Sequence, residues 1–263
     1  MITRAPRGDA LSSRRVTTLR AWLDQGPFGL AMSSGFFAFY AHTGMLSALV
    51  AGGHAPSHVA GSSAGALVAG AHAAGLPCDA LAGELARLER GQFWDPAPGA
   101  GLLAGRKFDA LLRAMLPVAS FDRCRVPVRI SVFDILARAT TVLDRGDLPT
   151  AIRASCAVPG MFHPVWIGRR PYWDGGILDR PGLAGAPAGR VLFHHIASRS
   201  PWRTTRAPSL ALPRRPDLVS LVIDDLPRSG PFRLDAGRRA LALARDAAER
   251  ALDRPIVEGV VRV

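Results

Sequence analysis

The chain has 263 residues, 48% of them hydrophobic, which suffices for one large α/β domain or two small ones. Its net charge is +12, and Lys107 is the single lysine among 33 basic residues, so arginine carries the charge. That balance favours an anionic partner such as a phospholipid surface, although codons rich in G and C give the same bias toward Arg, Ala, Gly and Pro. No basic segment is interleaved with regular aromatics, so nucleic acid is not expected as a partner.

Every apolar run is broken by Gly, His, Arg or Pro before it reaches the length of a membrane span. Met1 to Arg20 is basic and polar with no apolar stretch behind it, unlike a secretory signal. Cys78, Cys124 and Cys156 are far apart and odd in number, and no pair has metal-ligand spacing. Neither a disulfide framework nor a metal is expected, and a cytoplasmic location fits. Cys156, in an Ala-Ser-Cys-Ala-Val-Pro run, reads as a small buried residue rather than a nucleophile.

Residues 1–26 read as a frayed lead-in holding one short helix over Thr17–Leu23, and residues 27–263 as a single domain. Phe28–Ser33 is the first strand, Ser33–Phe37 a turn, and Ala38–Ala51 a helix. A Gly/Pro loop leads to a short strand ending at Val59-Ala60, and Ala64–Ala74 is a small, apolar helix. Strand, helix, strand, helix within about fifty residues implies parallel strands and a right-handed crossover. Residues 77–92 form a charged amphipathic helix, Pro96–Gly105 a connection, and Phe108–Leu116 a helix. Val128–Phe133 is a strand with Thr140–Leu143 as its hairpin partner, and Pro149–Ser155 is a short helix. Val165–Ile167 and Pro171–Trp173 flank a turn at Gly168. Val191–Ile196 is an apolar strand, Ser198–Pro216 a mobile loop rich in Arg, Pro and Ser. Leu218–Ile223 and Ala236–Leu252 are a last strand and helix, which complete the same sheet.

The chemistry gathers at Gly61-Ser62-Ser63-Ala64-Gly65. A strand that turns at once into a helix holds its corner residue strained and exposed, and the small neighbours let it do so. Ser63 would stand over the carboxyl end of the sheet, with the N–H groups of the next helix aimed at it. A serine nucleophile needs a base and a place for the oxyanion. Two bases are open: Asp174, which precedes Gly175-Gly176 at a strand end, and His194 or His195, which would give the chain order of an α/β-hydrolase. Both histidines also read as residues of a buried strand. For the oxyanion, the turn at Ser34-Gly35-Phe36-Phe37 ends one strand and opens a helix, leaving N–H groups unpaired.

Three blocks together resemble the patatin-like phospholipase family. Leu30-Ala31-Met32-Ser33-Ser34-Gly35 with Ala41-His42-Thr43-Gly44-Met45-Leu46 resembles the family's oxyanion block. Gly61–Leu67 is similar to its nucleophile elbow. Arg153–Val165, followed by Asp174-Gly175-Gly176, resembles its third block and catalytic Asp. The resemblance spans about residues 28–180, in the right order. It implies a three-layer α/β/α fold with a mostly parallel central sheet. It also implies a Ser63–Asp174 dyad without a catalytic histidine, and an oxyanion hole from the N–H groups of Gly35, Phe36 and Ala64. Gly61, Gly65, Gly175 and Gly176 would be its motif glycines, and no metal or organic cofactor would be needed. One departure stands out. Where the family has a run of glycines and then Arg or Lys, Gly35 is followed by Phe36-Phe37-Ala38-Phe39. This is more similar to the aromatic block of animal triglyceride-lipase relatives.

The activity implied is lipid acyl-ester hydrolysis through an acyl-enzyme, with transfer to another acceptor using the same site. A lipid or small ester would be the substrate. Trp166, Arg169, Arg170, Tyr172, Trp202, Arg203 and Arg206 combine rings and guanidinium groups suited to peripheral contact with an anionic membrane. Two other readings stay open: a non-catalytic lipid-binding scaffold of the same fold, and a soluble esterase with a Ser-His-Asp triad.

Overall fold

The computed structural model describes residues 17–197 and 211–263. In chain order the elements are α1 (Leu19–Leu23), β1 (Gly29–Met32), α2 (Phe39–Ala51), β2 (His58–Ser62), α3 (Ala64–Ala73) and α4 (Cys78–Arg87). Next come β3 (Gly101–Leu103), α5 (Arg106–Met115), β4 (Val128–Asp134), β5 (Ala139–Leu143), α6 (Leu148–Ser155) and β6 (Gly160–Phe162). The chain ends with β7 (Val165–Ile167), β8 (Arg170–Asp174), β9 (Val191–His195), β10 (Leu218–Val222), α7 (Leu234–Leu252) and β11 (Val260–Arg262).

The architecture is α/β, three layers deep, around a mostly parallel sheet. Its strand order is β11-β10-β9-β1-β2-β4-β8-β7, with β5 also on β4. The strands from β11 to β4 are parallel; β5, β7 and β8 pair antiparallel. β1, β9 and β10 are buried at every position, as parallel strands covered on both faces should be. Leu30, Met32, Leu192 and Leu221 face the main core with the helices. Ala31, Val191, Phe193 and Leu218 face the other way, under Leu183, Ala186 and Leu212.

Helices α2 and α7 pack closely because small residues meet there. A Cβ on Gly44 would strike the Leu241 carbonyl oxygen and lie 3.0 Å from Arg245 N. Ala236, Ala240, Ala244, Ala247, Ala248 and Ala251 give α7 its buried stripe.

The expected elements are present, with shifted ends and some differences. Residues 17–26 are not frayed. Thr18 caps α1 by accepting from Ala21 N, Leu19 and Leu23 are buried, and Arg20 pairs with Asp253 at 2.8 Å. Residues 1–16 lie outside the described residues. The helix expected over 77–92 stops at Arg87, because Glu89 and Gln92 form a capping box that starts a separate 3-10 turn. The connection over 96–105 contains β3, which pairs in parallel with β6. Asp95 then caps α5 from a distance, accepting from the N–H groups of Gly105, Arg106 and Lys107. β11, not expected, adds an edge strand beside β10. The mobile loop expected over Ser198–Pro216 falls largely on residues 198–210, outside the described residues.

Candidate active site

β2 and β8 approach each other end to end along one edge of β4. The outer edge of β4 is taken by β5 over Ile130–Asp134. β2 occupies the inner edge as far as Ser131, and β8 takes over that edge from Val132. β2 runs toward this junction and ends at Ser62; β8 runs toward it from the other side and ends at Asp174, opposite Val132. Two residues more than a hundred positions apart therefore meet. Ser63 Oγ donates to Asp174 Oδ2 at 2.6 Å, and Asp174 Oδ1 accepts from Gly176 N at 2.7 Å.

Sterics explain the residues around the junction. Ser63 sits at φ 53°, ψ −119°, a sparsely populated conformation that costs about 1–3 kcal/mol. A Cβ on Gly65 would lie 2.6 Å from the Met32 carbonyl carbon, so only glycine lets α3 start this close to β1. A Cβ on Gly61 would lie 2.6 Å from Ala66 N. The chain leaves β8 where β2 ends: a Cβ on Gly175 would be 2.7 Å from Ser62 Oγ, and one on Gly176 2.7 Å from Ser34 Cβ.

Two residues that hold this corner carry no motif of their own. Ser155, at the end of α6, is fully buried. Its Oγ accepts from Ser63 N at 2.8 Å and donates to Ser131 O at 2.7 Å. Asp179 accepts from Ser131 Oγ at 2.6 Å and from the N–H groups of Leu183 and Ala184. It ties the segment after Gly176 across the end of β4. The only sequence signal for Ser155 was its place inside the third block.

Opposite Ser63, the turn after β1 supplies donors. Among the described residues, no acceptor is found for the N–H of Gly35 or Phe36. Ala64 is the first residue of α3, so its N–H is an orphan of the helix start, backed by the positive end of the helix dipole. Gly35, Phe36, Ser63, Ala64, Asp174 and Gly176 all line one cavity of about 970 Å³. Its walls are largely apolar, with Phe37, Phe39, Phe93, Phe108, Met115 and Phe162 among them. Arg180, Arg228 and Arg233 also line it.

The histidines are placed elsewhere. His194 and His42 are fully buried, with their Nδ1 atoms 2.8 Å apart, and His42 Nε2 is 2.8 Å from Ser33 O. Burial holds His42 down to about 4 and His194 well below the usual imidazole range. His195, also buried, is held down to about 4, first by burial and then by Arg180 and Arg262. The hydroxyl of Ser63 is bonded to Asp174, not to either histidine proposed for a triad. The Cys156 thiol donates to Ser63 O at 3.2 Å, and burial pushes its pKa well up. Among the described residues, no group of three or more His, Cys, Asp or Glu side chains could hold a metal ion. Of the residues expected at a membrane, Trp166 and Arg169 are exposed. Tyr172 is buried because it faces the core from β8, and Arg170 is paired with Asp134. Trp202, Arg203 and Arg206 lie outside the described residues.

The chain is similar to known proteins in sequence and in fold. The chain is 36% identical over 167 residues to uncharacterized NTE family proteins of Mycobacterium bovis and Mycobacterium tuberculosis. Those matches cover 57% of this chain and 42% of the relatives, so the match spans less than half their length. The fold is similar to the crystal structure of VipD from Legionella pneumophila, with a TM-score of 0.54 at 14% identity, covering 86% of this chain and 67% of that one. The family model for patatin-like phospholipases matches residues 30–186, a span that holds the Ser63 elbow, Ser155, Asp174 and Asp179, and on that match the chain belongs to the patatin-like phospholipase family.

Proposed function

We propose that the chain is a serine lipid acyl hydrolase that cleaves carboxylic acyl esters through Ser63 and Asp174. One observation carries the reading: the 2.6 Å hydrogen bond from Ser63 Oγ to Asp174 Oδ2, made from a strained strand-to-helix corner. Asp174 takes the Ser63 proton as Oγ bonds to the ester carbonyl carbon. The carbonyl oxygen becomes an oxyanion that accepts from the N–H groups of Gly35, Phe36 and Ala64. On collapse the ester C–O bond breaks, the alcohol leaves with the proton held by Asp174, and the acyl group stays on Ser63. Water then attacks the acyl-enzyme, giving its proton to Asp174, and the acid leaves as Ser63 Oγ regains a proton. The apolar aromatic cavity favours an acyl chain as its occupant.

Such a substrate lies in a bilayer, so the mouth must reach one. No helix among the described residues is long and apolar enough to cross a membrane. Instead the mouth has an exposed apolar rim. Phe36 is 55% exposed and Ile177 39%, and both line the cavity. Leu178 follows Ile177, and Phe232, 68% exposed, meets Trp94 edge to face beneath Arg90. Arg228 and Arg233 on the same segment complement anionic lipid. This rim, rather than the β7–β8 hairpin, is the proposed contact surface.

The test is hydrolysis of short p-nitrophenyl esters and of phospholipid vesicles. Ser63→Ala and Asp174→Asn should each abolish measurable turnover, and full activity in either refutes the dyad. Leu178→Ser combined with Phe232→Ser should weaken sedimentation with anionic vesicles while sparing soluble esters. Unchanged vesicle binding would remove the rim from the proposal.

A further inference from the structure

The buried pair of His42 and His194 takes no part in the reaction above, yet its hydrogen bonds fix one arrangement of protons. His42 Nε2 is 2.8 Å from the Ser33 carbonyl oxygen. A carbonyl only accepts, so Nε2 carries the proton and His42 Nδ1 is bare when the ring is neutral. The His194 Nδ1 atom, 2.8 Å from it, must then be the donor. Burial keeps both rings neutral. The bonds run from His194 Nδ1–H to His42 Nδ1, and from His42 Nε2–H to Ser33 O.

The chain of bonds ends two residues before Gly35. Ser33 N donates to His194 O at 3.2 Å, and Ser33 Oγ accepts from Ile196 N at 2.9 Å. Ser34 N donates to Arg180 O at 2.7 Å. Beyond these anchors, the N–H groups of Gly35 and Phe36 have no acceptor among the described residues; the peptide that carries the Phe36 N–H is tied through Gly35 O, which accepts from Ala38 N at 3.0 Å, and the peptide that carries the Gly35 N–H has no such backbone tie. The preceding peptide planes must orient that amide. The His42 bond holds the Ser33–Ser34 plane by its carbonyl from the helix side, and the Arg180 carbonyl oxygen holds the same plane by the Ser34 N–H.

We infer that His42 is a positioning residue for the oxyanion-binding turn, acting through the Ser33 carbonyl, with His194 fixing which of its ring nitrogens donates. The catalytic consequence rests on the reading of Ser63 and Asp174 above; the structural consequence does not. A histidine pair that merely fills space would be replaceable by any ring of its size. A strut needs a donor at the position of Nε2.

The experiment compares His42→Phe, which fills the space without a donor, with His42→Gln, whose amide nitrogen can reach the same place. Hydrogen exchange in the full chain should speed up at least about tenfold at the Ser33 and Ser34 amides in His42→Phe and stay near wild type in His42→Gln. Turnover per active site titrated with a fluorophosphonate should fall about 10–100-fold in His42→Phe, with KM within about threefold, and should be largely restored in His42→Gln. Equal impairment of the two variants overturns the inference, as does wild-type turnover per titrated site in His42→Phe. Should His42→Phe fail to fold, imidazole ¹⁵N shifts of the unsubstituted protein at pH 7 decide instead. They should show the Nε2–H tautomer at His42 and the Nδ1–H tautomer at His194, and any other pair of states refutes the arrangement. A wild-type protein that hydrolyses no ester sinks the reading of Ser63, and the exchange contrast then still decides whether His42 holds the turn.

Discussion

Ser155→Ala removes a single oxygen atom from the heart of the elbow. That oxygen accepts from Ser63 N at 2.8 Å and donates to Ser131 O at 2.7 Å, with no exposure to solvent. Alanine leaves a buried N–H and a buried carbonyl without this partner. An unsatisfied buried donor costs about 1–3 kcal/mol, and the weakened acceptor adds to it, so the expected loss is about 2–4 kcal/mol. For a chain of this size, each kcal/mol moves Tm by roughly 2–4 °C, giving a fall of about 5–15 °C. The same bond holds Ser63 at its positive φ. Without it the hydroxyl relaxes away from Asp174, and kcat should fall about 10–100-fold. The assay is a thermal scan beside initial rates on p-nitrophenyl butyrate. Ser57→Ala serves as control: it deletes a hydroxyl that donates to Phe28 O at 2.9 Å, at the opposite end of β2, and should leave kcat unchanged. A Ser155→Ala protein with wild-type Tm and wild-type kcat would refute the claim that α6 holds the nucleophile in place.

Two glycines should respond oppositely to the same change. Gly65→Ala forces α3 away from the Met32 carbonyl and should cost about 1–3 kcal/mol or more together with activity, whereas Gly83→Ala meets nothing nearer than the flexible Arg87 end at 3.5 Å and should stabilise α4 by about 0.5–1 kcal/mol; calorimetry of both checks the signs. Stability should also fall with acid. Folded His42 and His195 titrate at about 4, below the 6.5 of a free imidazole, so the unfolded chain binds protons that the folded one refuses. Their contribution is complete above about pH 6.5 and is lost as the pH falls toward 4, by about 3 kcal/mol for each. A urea midpoint that fails to drop between pH 7 and pH 4.5 would contradict this.

What the sequence exposed and what it hid follow the range of the interactions. The Ser63 elbow depends on neighbours within a few residues, so Gly61 and Gly65 announce it. Asp174-Gly175-Gly176 is visible for the same reason: the chain must turn sharply where β2 ends. The meeting of Ser63 with Asp174 came from family resemblance, because it depends on β8 running antiparallel along the part of β4 that β2 leaves bare, a long-range pairing with no local mark. β3 and β6 are three residues each and were hidden by glycine and proline around them. Tyr172 reads as a surface ring in the sequence because the pattern Pro-Tyr-Trp does not say which side of β8 is covered. Ser155 and Asp179 look like ordinary polar residues in sequence, and only burial reveals that they hold the corner.

The most direct measurement of the central claim is covalent labelling with a fluorophosphonate followed by mapping of the adduct by mass spectrometry. The account predicts one adduct, on Ser63, absent in Ser63→Ala and formed at least about 100-fold more slowly in Asp174→Asn. A protein that does not react, or reacts at another side chain while Ser63 stays free, would contradict it.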